Sequence, residues 1–145
     1  MSLSDTILVV DDDEDTRLLV SEIVRLAGYE ATCAGQFVEA RDALTKHPAA
    51  VLLDLVMPDQ LCIRVAAYMA DEMPHTPVVL MSVTDEASMM QAKAKLTAIG
   101  LRVVATLRKP FWIDGLLSAL AEALPHAAPS SGLSDEEQLS GGALG

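Results

Sequence analysis

Aromatic side chains are scarce in this chain. They make up 3% of its 145 residues, against 51% hydrophobic residues overall. A core built from it must be aliphatic, packed from Val, Leu, Ile, Ala and Met. Cys33 and Cys62 are the only cysteines, and neither has a CxxC partner. Cys33 falls in an apolar run, and two free buried thiols suit a reducing cytoplasm, with one disulfide between them left open at this point. Positive charge is also short: ten Lys and Arg face 21 Asp and Glu, a formal net charge of −11. All ten cations lie at or before Lys109, and three of the acids lie beyond residue 124. Such a surface repels nucleic-acid phosphates and anionic lipid heads, so direct nucleic-acid binding by this segment is not expected. The chain has no run of roughly 18 apolar residues and no basic segment leading into an apolar one. The expectation is a cytoplasmic chain with no membrane contact.

What remains is an alternation of short aliphatic runs and longer helical periods. Thr6–Val10 reads as a fully apolar strand that stops at three aspartates. From Glu14 to Ala27, Leu19, Val20, Ile23, Val24 and Ala27 recur at helical spacing, and Gly28 follows in the position that closes a helix. Tyr29–Ala34 reads as a second strand. A helix with Phe37, Ala40 and Leu44 on one face follows, closed by His47-Pro48. Ala50–Leu53 is a third strand ending at Asp54, and 61–73 a weaker helix. Pro77–Met81 is a fourth strand ending at Ser82. An alanine- and methionine-rich helix spans 85–98, with the methionines read as core fillers. Arg102–Leu107 is a fifth strand, followed by Lys109-Pro110. The last helix carries a stripe at Ile113, Leu116, Leu117, Leu120, Ala121 and Leu124. Phe111-Trp112 is expected to anchor it.

Five βα units with apolar strands imply an α/β fold, a parallel sheet covered by helices on both faces. The expected organisation is a leader over residues 1–5, one domain over 6–124, and a flexible tail or linker over 125–145. That last stretch is rich in Pro, Ser and Gly and has little to bury.

Four of the five strands end at a chemically useful residue: Asp11-Asp12-Asp13, Asp54, Ser82 and Lys109. In a parallel sheet these positions share one edge, where ligands bind. Carboxylates, a hydroxyl and an ammonium over one crevice suit phosphoryl transfer. A carboxylate can act as nucleophile and form an acyl phosphate. A hard divalent cation removes the repulsion between that carboxylate and an anionic donor. Asp12, Asp54 and the backbone carbonyl of Val56 can supply its protein ligands. A lysine and a hydroxyl can bind the remaining phosphoryl oxygens.

The set VVDDD, VLLDLVMP, PVVLMS and LRKPF closely resembles the receiver domain of two-component response regulators, over about residues 6–124 and with every landmark in order. The resemblance implies a flavodoxin-like, doubly wound (βα)5 sandwich with strand order 2-1-3-4-5. It implies Asp54 as phosphoacceptor, Asp11 and Asp12 as the acidic pair that organises Mg²⁺ or Mn²⁺, Ser82 as switch hydroxyl and Lys109 as the phosphoryl-binding lysine. It also implies a switch more than an enzyme. The donor would be a sensor histidine kinase or a histidine phosphotransfer protein, and a homodimer through the fourth helix, fifth strand and fifth helix is an option. The Lys109-Pro110 bond is often cis in receivers. Three departures stand out. Cys62 occupies a position usually held by glycine. Thr106 stands where receivers often place a switching aromatic. Val56 and Thr84 offer neither acid nor amide to orient an attacking water, so a fairly long-lived phosphoryl state is expected.

Three other readings compete. Asp11, Asp13, Asp15 and Glu22 fit positions of a calcium-binding EF-hand loop, but Thr16 stands where its sharp turn needs glycine, and a strand precedes it. A phosphatase of the haloacid dehalogenase class would use Asp11 as nucleophile, but Asp15 breaks its pattern and Asp54 is left unexplained. A pseudo-receiver, an interaction module without phosphate chemistry, would tolerate Cys62 and Thr106.

Overall fold

The computed structural model describes residues 5–109 and 113–124. Most of the expected leader, the tail, the Lys109-Pro110 bond and Phe111-Trp112 lie outside them. Five strands run in the chain order of the apolar runs: β1 (Thr6–Val10), β2 (Glu30–Ala34), β3 (Ala50–Asp54), β4 (Pro77–Ser82) and β5 (Arg102–Arg108). They form one parallel sheet in the order β2-β1-β3-β4-β5. This is the expected flavodoxin-like sandwich. Strands β3 and β4 are buried along their whole length, as continuous aliphatic runs covered on both faces must be.

Alternation along β1 shows how the layers are filled. Ile7 and Val9 point to one face, packed with Val20, Val24, Leu116 and Leu120 of the helices α1 (Glu14–Leu26) and α5 (Ile113–Ala123). Leu8 and Val10 point to the other, covered by α2 (Phe37–Leu44), α3 (Leu61–Glu72) and α4 (Glu86–Ala98). A side-chain period of two delivers one strand to both cores. Helix ends follow local chemistry. Asp13 caps α1, its carboxylate accepting from the Thr16 amide at 2.8 Å, and Asp85 caps α4 through Ser88 in the same way. Gly28 takes φ +99°, a left-handed conformation that ends α1 with the Tyr29 amide donating back to Val24.

Several details differ from expectation. Cys33 is exposed, because β2 is an edge strand with only Ala34 fully buried; Cys62 is buried, and both thiols are free. Leu19 is 60% exposed, so α1 buries a narrower stripe of Val20, Ser21, Ile23 and Val24. In α5, Ile113 and Ala121 face outward, while Ala119 and Ala123 join Leu116, Leu120 and Leu124 inside. Met69, Met81 and Met89 fill the core, but Met90 is 46% exposed. His47 leaves the helical region through a left-handed φ of +57°. A short 3-10 turn (Pro58–Gln60) leads into α3, and its left-handed residue is Gln60. Cys62 therefore sits inside the first turn of α3 rather than at the bend.

Candidate functional site

The carboxyl ends of β1, β3, β4 and β5 converge as a parallel sheet requires. Asp11 follows β1 directly and is 1% exposed; Asp54 is the last residue of β3 and is 4% exposed; Ser82 ends β4 and is fully buried. The Lys109 amide donates to the Ser82 carbonyl at 2.7 Å, which extends the β4–β5 ladder by one residue and fixes where the lysine begins. Its ammonium then reaches inward. It donates to Asp11 Oδ2 at 2.6 Å and lies 3.4 Å from Asp54 Oδ2.

The Asp11–Asp13 loop is tied down at several points. The Asp13 amide donates to Asp11 Oδ1 at 2.9 Å. The Asp13 carboxylate is committed to the Thr16 amide and hydroxyl. Arg17 donates from Nη1 to the Asp11 carbonyl at 2.7 Å. Asp12 is exposed, and its carboxylate has no hydrogen-bond or ion-pair partner among the described residues. Asp11, Asp12 and Asp54 each offer a carboxylate oxygen within 4.8 Å of the other two. An all-oxygen, anionic donor set of this kind fits a hard divalent cation such as Mg²⁺ or Mn²⁺.

Burial strains the electrostatics. The carboxyl of Asp54 is raised from an ordinary 3.8 to about 6, chiefly by removal from water and then by the Asp11 charge. Lys109 and the Val56 amide, which donates to Asp54 Oδ1 at 3.4 Å, pull the other way. Lys109 itself is raised: burial opposes its charge, but the hydrogen bond to Asp11 and the charges of Asp54 and Asp11 outweigh that. The Cys62 thiol is pushed up to about 12, first by burial and then by Asp54. A thiol held in that state is a packing group, not a nucleophile.

Asp11, Asp12, Asp54 and Lys109 are thus brought together, with Ser82 tied to Lys109 through its carbonyl and Val56 two residues past Asp54. Ser82 Oγ accepts from the Thr84 amide at 3.2 Å, joining the hydroxyl to the loop before α4. Thr106 lies apart from the crevice, half-buried on β5 opposite Leu80. It borders a groove of about 470 Å³ that also includes Met90, Lys93, Gly115 and Glu122. Two contacts escaped sequence reading. Arg17 binds a backbone atom, and Arg108 donates from Nε to the Thr84 carbonyl at 3.1 Å. Neither partner is a side chain, so no pairing of residue types announces them.

With this geometry in hand, similarity to known proteins is informative. The family model of the response regulator receiver domain matches residues 7–121. Sporulation initiation phosphotransferase F of Bacillus subtilis is 31% identical over 124 residues, covering 85% of this chain and 96% of that protein. Regulatory protein AtoC of Escherichia coli is 30% identical over 125 residues, covering 86% of this chain but 26% of AtoC. The crystal structure of a response regulator receiver protein from Burkholderia phymatum superposes with a TM-score of 0.73 at 28% identity, covering 88% of this chain and 100% of that one.

Proposed function

The chain belongs to the receiver-domain family of two-component response regulators, and from that premise we propose that Asp54 accepts a phosphoryl group and so works as a signalling switch. The donor in this reading is the phosphohistidine of a sensor kinase or phosphotransfer protein. The histidine N–P bond breaks, and a bond forms between an Asp54 carboxylate oxygen and phosphorus. The imidazole keeps the electron pair and takes a proton from solvent. The observation that carries this is the burial of Asp54 beside one ammonium and within 4.8 Å of two further carboxylates.

Each residue has a distinct task. Asp54 must be ionised to attack. Asp11, Asp12, Asp54 and the Val56 carbonyl would hold Mg²⁺ or Mn²⁺. When bound, the cation would offset the negative charge that the carboxylates and the incoming phosphoryl group bring together. Lys109 moves its hydrogen bond from Asp11 to a phosphoryl oxygen. The Ser82 hydroxyl donates to another, which draws the Thr84 loop toward the site. Thr106 cannot supply an aromatic readout, so the signal leaves through the backbone of that loop. Val56 and Thr84 do not orient water, and the acyl phosphate is accordingly long-lived.

Intact-mass measurement tests the proposal. The protein is incubated with acetyl phosphate, with and without Mg²⁺, beside Asp54→Ala and Asp11→Ala. One added phosphoryl group that needs both Mg²⁺ and Asp54 is the expected result. An adduct that survives Asp54→Ala, or none at all in the wild type, would overturn it.

A further inference from the structure

We propose that Arg17 is a positioning residue for the metal-binding carboxylate of Asp12, and that Gly35 is the space that lets it act. The inference rests on the receiver reading above. The residues on either side of Asp12 are pinned: Asp11 by Lys109 and by the Asp13 amide, Asp13 by its cap on Thr16. Asp12 has no side-chain partner of its own among the described residues. Its carboxylate is therefore aimed by the backbone alone. The peptide that joins Asp11 to Asp12 carries the Asp11 carbonyl, and that carbonyl is held by Arg17 Nη1 at 2.7 Å.

The guanidinium gets there by crossing the loop after β2. A Cβ built on Gly35 would collide with Arg17 Nη1 and lie 3.1 Å from its Cζ. Any side chain at position 35 would push the guanidinium off the carbonyl. Gly35 is itself held by the Glu39 carboxylate, which accepts from its amide at 2.8 Å, so the loop does not simply yield. Gly35 is not in the left-handed region, so alanine adds no backbone strain there. The end of a long arginine side chain moves cheaply. Gly35→Ala is therefore a clean way to break the Arg17 contact while the fold stays intact.

The charge of Arg17 opposes a cation, whereas its hydrogen bond favours one by fixing the ligand. Gly35→Ala separates the two, because it removes the hydrogen bond and leaves the charge. Calorimetric titration of the unphosphorylated protein with Mg²⁺ alone is the test, with circular dichroism as the check on folding. Gly35→Ala is expected to weaken Mg²⁺ binding roughly ten-fold, the usual scale for a lost outer contact. Arg17→Lys, which can still donate to the carbonyl, should retain tighter binding than Arg17→Ala. In the Arg17→Ala background, Gly35→Ala should have no further effect. Saturating Mg²⁺ should restore the phosphorylation rate of each variant. A folded Gly35→Ala that binds Mg²⁺ like the wild type, or one whose defect persists in full without Arg17, would overturn the inference while leaving the receiver reading in place. A wild type that binds no Mg²⁺ would overturn both.

Discussion

The Lys109 ammonium donates to the Asp11 carboxylate at 2.6 Å, across 98 positions of sequence. This one contact clamps the residue that follows β1 to the residue that follows β5. It also holds together a site that would otherwise repel itself, since Asp11 and Asp54 face the same lysine.

Lys109→Met should therefore leave two buried carboxylates without a cation. We expect a loss of about 3 kcal/mol of stability at pH 7 in the absence of metal, the lower end of the range for breaking a buried pair. Mg²⁺ should recover much of it, because the cation takes the place of the ammonium. Urea denaturation with and without Mg²⁺ reads both effects. Equal stability of wild type and variant without metal would contradict the structural role given to Lys109.

Asp54 predicts a pH dependence of definite sign. Its folded carboxyl is raised from 3.8 to about 6. The folded state thus holds the proton more tightly than the unfolded chain. That contribution to stability is complete below about pH 4 and is lost as pH rises through about 6. Asp54→Asn removes the effect. It should match the wild type near pH 4 and exceed it by about 2 kcal/mol above pH 6.5, measured without metal. Thermal melts across that range decide it, and a variant no more stable than wild type at pH 7 would refute the burial argument.

The two thiols should differ sharply in reactivity. Cys33 is exposed on the edge strand, whereas Cys62 is buried and its thiol is pushed up to about 12. Iodoacetamide under native conditions should give one adduct, mapped to Cys33. A second should follow only after unfolding. Peptide mass mapping checks the assignment, and native labelling of Cys62 would show that the start of α3 opens.

Helix α4 buries only Met89 and Leu96, so its start depends heavily on Asp85, which accepts from the Ser88 amide at 2.8 Å. Asp85→Ala should speed hydrogen exchange in the first turn of α4 several-fold, with the Ser88 amide affected most, and leave α1 unchanged. Unaltered exchange at Ser88 would mean that packing, not the cap, holds this turn.

The sheet and the crevice were legible in the sequence because parallel strands buried on both faces must be continuous aliphatic runs, and polar residues that interrupt them must stand at the ends. Asp11, Asp54, Ser82 and Lys109 announced themselves in that way. Exposure was less legible. Cys33 lies in a run that looks buried, but edge position decides its surroundings, and edge position follows from strand order. Leu19, Ile113 and Ala121 keep helical spacing, yet α1 and α5 bury narrower stripes than the spacing allows. The role of Arg17 could not be read, since it needs a backbone carbonyl as partner and an empty volume at Gly35, and neither has a residue type as its signature.

The strand-end chemistry occupies one rim of the sheet alone. The opposite rim holds the turn from Thr45 to Ala49, where the exposed His47 takes its left-handed bend and the Ala49 amide bonds to Thr6. None of the crevice residues lies there. Connectivity and chemistry are therefore separable in this molecule: the polypeptide could be opened, lengthened or rejoined at that turn, and the crevice would be assembled from the same strand ends in the same sheet order.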